Sequence, residues 1–277
     1  MNNPARKKRL AIKLNMKTNR NLLITVDLGN SSTTYGVHRN NKIRASGYVK
    51  SNEIPKLSRL LAKSGVFNHS PQLIISSVVP HLTDKLINRV TKYIPKRSIF
   101  VVGRDVRPYV AMRYKRRVLG SDRLVNIYGG LRLYKLPLLI VDFGTAITFD
   151  YVSKSGIFEG GLIVPGIEVA SDALQENTAL LPKIGPIKPV RTLIGRDPKS
   201  AMSSGLLNGF GALSDGLIER FRKQYSRKLV VVATGGFASR MAEYVDNFDY
   251  VDPLHTIRSL AIIYRNEVMS KTRRKCF

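Results

Sequence analysis

Hydrophobic and polar positions alternate along three consecutive stretches near the start of the chain, residues 22–27, 33–38 and 42–49. This alternation is typical of β-strands, and the asparagines of HRNNK, between the second and third stretches, favour a tight hairpin. A run with leucines at helical spacing follows and stops at Gly65. A further strand, helix and strand complete a predicted order of βββαβαβ.

A similar arrangement of strands and helices is predicted in the second half of the chain. Its aliphatic strand patterns fall into three consecutive runs, and its helices show apolar residues at helical spacing. The halves therefore read as two related α/β domains. The predicted elements are a helix at 122–134, three strands within 136–164, a long helix at 197–225, a strand at 228–236 and a closing helix at 256–269.

Two short turns carry the same residues in the two halves. Asp27 and Asp142 each end an aliphatic run, and each is followed two residues later by a glycine and then by a small polar residue. The two aspartates are 115 residues apart, a period too long for a solenoid and suited to two related domains. Two such halves facing each other are expected to leave a cleft between them, a preferred place for ligands.

These turns have a composition that suits phosphate. Glycine allows close approach of the backbone, and exposed N–H groups with small hydroxyls can surround phosphate oxygens. An aspartate at the end of the strand could hold a cation directly or through water. A single such turn is more often only a turn former or a helix cap. Two matching copies favour a pair of turns that bind a triphosphate from two sides.

The chain of 277 residues is strongly basic, with a formal net charge of +27. Residues 1–20 hold seven basic side chains and no acid, and residues 271–277 add four more without an acid. We expect the first run to be a disordered, solvated tail, with Met16 as an alternative start and an organelle transit peptide as a minor alternative. Such a charge attracts nucleic acid, acidic membrane surfaces or small anionic substrates without selecting among them.

Membrane insertion and disulfide formation are not expected. No run reaches the roughly 18 apolar residues that a membrane span needs. Cys276 is the only cysteine, so an internal disulfide is excluded and a reducing compartment, the cytoplasm, is favoured.

A series of short motifs runs along the chain: DLGNSS, LGSDRLVN, DFGTAIT, GGLIVPG, NTALLP, the stretch from IGRDPKS to LIER, VVVATGG and YVDPLHTIRSLAIIY. In this order they resemble the motifs of the type III pantothenate kinases, in the acetate kinase, sugar kinase, Hsp70 and actin superfamily. The resemblance runs from about Leu22 to Glu267 and implies an α/β fold of two duplicated actin-like (ribonuclease H-like) βββαβαβ domains with an interdomain cleft. It divides the chain into a basic tail at 1–20, domains at 21–118 and 119–270, and a second basic tail at 271–277.

The resemblance implies transfer of the ATP γ-phosphoryl group to the terminal hydroxyl of pantothenate, the first step towards coenzyme A. Asp122 matches the catalytic aspartate, which would accept the proton of that hydroxyl. An aspartate, with an ordinary pKa near about 3.9, is a weak base, but a loose phosphoryl transition state requires little early deprotonation. Arg123 would complement the negative charge of the substrate or help to position Asp122. Alternatively, SDR is a helix start, with Ser121 as the cap and Asp122 in the first turn.

The other site residues are also implied by the resemblance. Asp142 matches the ligand of a monovalent cation, K⁺ or ammonium, and Thr145 matches the second phosphate contact. ATP with Mg²⁺ is the implied cofactor, and a cytoplasmic homodimer is the implied assembly. The implied contacts to pantothenate are Tyr114, Gly120, Ser121, Asp122, Arg123 and Thr178, and those to ATP in the first turn are Asp27, Leu28, Gly29, Asn30, Ser31, Ser32, Thr33 and Thr34.

The chain departs from the family pattern at three positions. Ile147 replaces a threonine and is expected to remove a hydroxyl from the phosphate side, Ser31 replaces a threonine, and Ser121 replaces an alanine. Two alternatives therefore stay open. The chain could be a non-catalytic relative that assists transcription, with non-specific nucleic-acid binding through its basic tails, or a kinase for another small hydroxylated acid.

Overall fold

The computed structural model of the protein describes residues 22–190 and 192–270, so both basic tails, Cys276 and the choice of start lie outside it. The chain forms two compact units that divide after Asp105, earlier than the predicted boundary between 118 and 119. The segment between these points belongs to the second unit because its backbone pairs with Phe158. The Arg113 N–H donates to the Phe158 carbonyl, and the Phe158 N–H donates to that of Ala111, each at 2.9 Å.

The first unit is a five-stranded sheet with two helices. The strands lie in the order β3-β2-β1-β4-β5. The first three pair antiparallel, and β4 and β5 are added in parallel. The elements are β1 (Leu22–Leu28), β2 (Ser32–Arg39), β3 (Lys42–Lys50), α1 (Ile54–Lys63), β4 (Gln72–Ser77), α2 (Pro80–Val90) and β5 (Ile99–Val101).

Local sequence explains two boundaries in this unit. Asn40 and Asn41 form the predicted hairpin with φ of 50° and 64°, left-handed values that asparagine tolerates well. Arg39 pairs directly with Lys42 across that turn. Gly65, with φ of 73°, follows the last turn of α1 and ends the helix as predicted.

The second unit repeats this architecture. Its strands lie in the order β10-β9-β6-β7-β8, again with three antiparallel strands and two added in parallel. The elements are α3 (Ser121–Leu133), β6 (Leu138–Phe143), β7 (Ala146–Val152), β8 (Phe158–Pro165), α4 (Ile167–Glu176), α5 (Pro198–Gln224), β9 (Val230–Thr234), α6 (Ala238–Met241), β10 (Tyr250–Val251), α7 (His255–Ile263) and a π-helix (Tyr264–Met269).

The matching strand orders confirm the predicted fold class, two duplicated βββαβαβ units. Each unit has its own apolar core between its sheet and its helices. α6 and β10 were not predicted because four and two residues are too short to show a period. In the described part of the chain no helix is both long and apolar enough to cross a membrane.

His255 at the start of α7 is a fully buried titratable group. Its Nε2 lies 2.9 Å from the carbonyl oxygen of Asn126 and donates to it, which ties α7 to α3. Burial lowers the pKa of His255, and this outweighs the opposing effects of the Asn126 carbonyl and of Asp252. The folded protein therefore holds this histidine neutral below the pH at which an unfolded histidine takes up a proton.

This difference predicts acid destabilisation. Below an unfolded pKa of about 6.5, the unfolded chain binds a proton that the folded chain does not, so the free energy of unfolding falls as pH decreases. Urea unfolding of the wild type and of His255→Gln from pH 7.5 to 5 measures it, and the variant should lose part of the slope. His81→Gln, at an exposed position, is the control. Equal slopes in all three proteins would contradict the assignment.

Gly235, directly after β9, lies against the end of β6. Its φ of 92° is a left-handed value. A Cβ at this position would lie 2.7 Å from the Phe143 backbone and would overlap Oδ1 of Asp142, whereas a Cβ on the next residue, Gly236, would meet open space. The absence of a side chain at Gly235 thus lets the strand end approach the Asp142 carboxylate.

We expect Gly235→Ala to lower the free energy of unfolding by about 2 kcal/mol or more, because backbone strain and steric overlap add. Gly236→Ala is the matched control and should change it by less than about 1 kcal/mol. Urea denaturation of the two variants provides the comparison. Similar losses in both would show that the close approach at Gly235 is not tight.

Candidate active site

The first phosphate-type turn joins β1 to β2 in the first unit. Asp27 stands opposite Thr34 in the strand pair. The Gly29 N–H donates to the Ser32 carbonyl oxygen at 3.1 Å, which closes the turn. Asn30, Ser31 and Ser32 are exposed at its tip. Leu28 and Thr33, in contrast, are fully buried, so neither residue offers accessible atoms to a ligand.

Ser51, at the end of β3, holds this turn in shape and was missed by the sequence analysis. Its hydroxyl donates to the Gly29 carbonyl oxygen at 2.7 Å and lies 3.1 Å from Oγ1 of Thr33. Its backbone N–H donates to the Ser31 carbonyl oxygen at 3.0 Å. No local motif marks this serine, because its role depends on β3 returning beside the turn.

The second turn joins β6 to β7 and repeats these features. Asp142 stands opposite Thr148, and the Gly144 N–H donates to the Ala146 carbonyl oxygen at 3.2 Å. The Gly166 N–H, just after β8, donates to the Thr145 carbonyl oxygen at 3.0 Å, as Ser51 does after β3. A side chain at Gly166 would overlap the turn's carbonyl groups. The structural equivalence of the two turns therefore extends to the residue that braces each one.

Ile147 lies in the hydrophobic core of the second unit and is fully buried. The expectation that it removes a hydroxyl from the phosphate side was wrong. Neighbouring residues on a strand face opposite ways, and the flanking Ala146 and Thr148 are exposed and half-buried. Ile147 occupies the place that buried Thr33 occupies in the first turn, so the substitution changes core packing.

The motif GSDR begins α3. Gly120 is the N-cap residue, and as a glycine it makes no side-chain capping bond. Ser121 is the first residue of the helix, so the alternative in which Ser121 is the cap was wrong. Asp122 is half-buried in the first turn. Its Oδ1 accepts the backbone N–H of Arg123 at 2.7 Å. The carboxylate is thus placed at the positive end of the helix, which favours negative charge.

Arg123 is buried and points towards β7, where it meets Asp150. Its Nη2 and Nε donate to Oδ1 of Asp150 at 2.5 and 3.0 Å. Its Nη1 lies 3.4 Å from the hydroxyl of Tyr114, and the guanidinium carbon lies 5.1 Å from the centre of that ring. The charge of Arg123 is therefore already balanced, which favours a positioning role over binding of the substrate's negative charge. The sequence analysis did not identify Asp150.

Asp142, at the end of β6, lies close to this group. Its Oδ2 accepts a hydrogen bond from Nδ2 of Asn126 at 2.9 Å, and Oδ1 of Asn126 accepts one from Thr256 at 2.8 Å. Burial, followed by the negative charge of Asp122, raises the pKa of Asp142 to about 7, although the Asn126 hydrogen bond opposes the rise. The surroundings of Asp142 therefore disfavour its ionised form.

The second unit thus brings together most of its predicted site residues. Tyr114, Asp122, Arg123 and Asp142 are linked by hydrogen bonds, ring contacts or electrostatic interaction. Thr178 lies just after α4. It is exposed, and its hydroxyl donates to the Leu174 carbonyl oxygen at 2.7 Å.

Two solved structures share this fold. One is a Baf family transcriptional activator from Campylobacter jejuni, with a TM-score of 0.55, 19% identity, and coverage of 87% of this chain and 97% of that one. The other is the activator of 2-hydroxyisocaproyl-CoA dehydratase from Clostridium difficile with bound ADPNP, with a TM-score of 0.51, 10% identity, and coverage of 92% and 97%. At these identities the likeness concerns the fold alone.

Comparison of sequences, unlike the likeness in fold, identifies a family. The sequence model of the family described as type III pantothenate kinase matches residues 23–220. A type III pantothenate kinase from Moorella thermoacetica is 35% identical over 252 residues, which cover 88% of this chain and 98% of that protein. Another from Caulobacter vibrioides is 34% identical over 261 residues, covering 91% and 100%. With most of its length matched in this way, the chain belongs to the type III pantothenate kinase family.

Proposed function

We propose that this chain carries out the reaction for which its family is named, ATP-dependent phosphorylation of pantothenate to 4'-phosphopantothenate, the first step of coenzyme A biosynthesis. The observation that carries the proposal is the placement of Asp122. Its carboxylate lies in the first turn of α3, beside a buried and anchored Arg123, in the unit that also holds the second phosphate-type turn.

Asp122 is proposed to orient the terminal hydroxyl of pantothenate and to accept its proton as the new P–O bond forms. The oxygen–phosphorus bond to the leaving ADP breaks in the same loose transition state, so little basicity is needed and orientation dominates. The acceptor site is proposed to be shaped by residues close to Asp122 in the sequence: Tyr114, Gly120, Ser121 and Arg123. Thr178 is proposed as a further pantothenate contact.

The two turns are proposed to bind the phosphates of ATP. Both carry exposed small polar side chains at their tips, those of Asn30, Ser31 and Ser32 in one turn and that of Thr145 in the other. Small donors of this kind suit anionic oxygens. The kinase family uses ATP with a divalent metal, which when bound neutralises charge on the phosphates.

Replacing Asp122 tests the central residue. Asp122→Asn keeps the shape of the side chain but removes the proton acceptor, so kcat should fall by about 100-fold or more with the fold retained. Steady-state kinetics with circular dichroism measure both properties. Asp84→Asn, an exposed carboxylate on α2, is the control and should keep full activity. Normal turnover in Asp122→Asn would refute the assignment.

A monovalent cation, K⁺ or ammonium, is proposed to bind at Asp142. The carboxylate oxygens are suitable ligands, and burial together with the negative charge of Asp122 raises the pKa of Asp142 to about 7, which disfavours the ionised form in the absence of a cation. A cation beside the carboxylate would favour the ionised form. The residues present therefore fit such an ion.

The cation proposal predicts a specific salt response. Activity should require K⁺ or ammonium and be low in Na⁺ at equal ionic strength, and Asp142→Ala should abolish the difference. Melting temperature gives a second reading, since K⁺ that binds only the folded protein should raise the value for the wild type but not for the variant. Equal rates and equal melting temperatures in all three salts would count against the site.

A homodimer is proposed from an apolar surface on the second unit. β8 is an edge strand of its sheet, and large apolar side chains are exposed along it and the residues that follow. Ile163 is 60% exposed and Leu180 is 91% exposed. Exposed apolar side chains on an edge strand and the residues after it are proposed to form a protein interface. The other exposed members are Leu162, Val169 and Leu174.

Sedimentation velocity tests the assembly with a matched pair of variants. Ile163→Glu should convert a dimer to a monomer because a charge cannot be buried in the interface without a partner. Val251→Glu, on the opposite edge strand β10 and also exposed, should leave the dimer intact. A monomeric wild type, or a dimer that survives Ile163→Glu, would contradict the proposal.

The protein is proposed to act in the cytoplasm. The cytoplasm is a reducing compartment that contains ATP, which suits a kinase with one cysteine. Binding to nucleic acid is expected only as non-specific attraction to the two basic tails, which lie outside the described residues.

A further inference from the structure

Asp150 lies in the middle of β7 and is among the most buried charged groups in the described chain, with 1% exposure. Its Oδ1 accepts hydrogen bonds from both Nη2 and Nε of Arg123, at 2.5 and 3.0 Å. Its Oδ2 accepts a hydrogen bond from the hydroxyl of Thr148 at 3.3 Å. Both oxygens of the carboxylate are therefore engaged by groups that belong to the second unit.

A pair this deeply buried is not explained by stability alone. Removing two charges from water costs about as much as their attraction returns, so apolar residues would fill the same space without loss. Burial raises the pKa of Asp150, and the hydrogen bonds from Arg123 oppose that rise. The geometric consequence of the pair is therefore the better explanation for its presence.

That consequence is the placement of Asp122. Arg123 directly follows Asp122 in the first turn of α3, and its backbone N–H donates to Oδ1 of Asp122 at 2.7 Å. β7 begins immediately after the second phosphate-type turn. The Asp150–Arg123 pair thus links the start of α3 to the strand that leaves that turn.

Aromatic side chains restrict the guanidinium further. Its carbon lies 5.1 Å from the ring centre of Tyr114 and 5.8 Å from that of Phe158. The two rings also contact each other, with centres 5.5 Å apart. Arg123 therefore has a single well-defined direction, towards Asp150.

We propose that Asp150 is a positioning residue for phosphoryl transfer: through Arg123 it holds Asp122 in register with the second phosphate-type turn. This inference rests on the proposed role of Asp122. It predicts that the carboxylate of Asp150 affects turnover without contacting either substrate.

Steady-state kinetics on four proteins test it: the wild type, Asp150→Asn, Asp122→Asn and the double variant. Asp150→Asn should lower kcat on the order of 10- to 100-fold, with the KM for ATP changed by less than about twofold, because misplacement of a reacting group mainly affects the transition state. Added to Asp122→Asn, it should cause no further loss, since the group that it positions is already absent. Asp215→Ala, which removes a carboxylate that accepts hydrogen bonds from Asp246 and Asn247, controls for lost stability and should keep its kcat.

The outcomes distinguish a failure of the inference from a failure of the proposed function. Normal kcat in Asp122→Asn would refute the role of Asp122 and the inference with it. A large loss in Asp122→Asn with kcat of Asp150→Asn within about twofold of the wild type would overturn the inference alone, as would a full multiplicative loss in the double variant. Should Asp150→Asn fail to fold, Asp150→Glu keeps the buried charge and shifts its position; normal kcat in that variant would also overturn the inference.

Discussion

The buried ion pair between Arg123 and Asp150 is the interaction on which the candidate active site depends. It joins the first turn of α3 to β7, and it leaves Asp122 beside it at a helix start with a half-exposed carboxylate. Asp142 and Asn126 continue the same polar group towards α7 through Thr256. The sheet, the helix start and the second turn are thereby held as one arrangement, with charge concentrated where phosphate chemistry is proposed.

Duplication supplies the second constraint. Both units use the same strand order, and both place an aspartate opposite a threonine at the end of the central strand. In both, the residue just after the third strand donates a backbone N–H to the turn, Ser51 in one unit and Gly166 in the other. The recurrence of these main-chain bonds indicates that the turn shape follows from the strand arrangement, and the side chains at each tip can then diverge.

The strand runs, the long helix α5 and both aspartate turns could be predicted from sequence because each depends on local periodicity or on a short motif. Asp150 and Ser51 could not, since their partners lie 27 and 22 residues away along the chain. For Ile147 the prediction itself was wrong. Its position in the motif was interpreted as facing phosphate, but side chains alternate between the two faces of β7 and that of Ile147 lies in the core. The two aspartate turns could therefore be predicted from sequence, and the structure was needed for the contacts that shape them.

The central claim is that this chain phosphorylates pantothenate, and the most direct test identifies the product. Purified protein is incubated with Mg²⁺, K⁺ and ATP labelled in the γ-phosphate, together with pantothenate or one of a small panel of other hydroxylated acids, and the products are separated by mass spectrometry. Label in 4'-phosphopantothenate, absent with Asp122→Asn, is the predicted result. Label in a different acid, or none in any acid from a folded protein, would contradict the account.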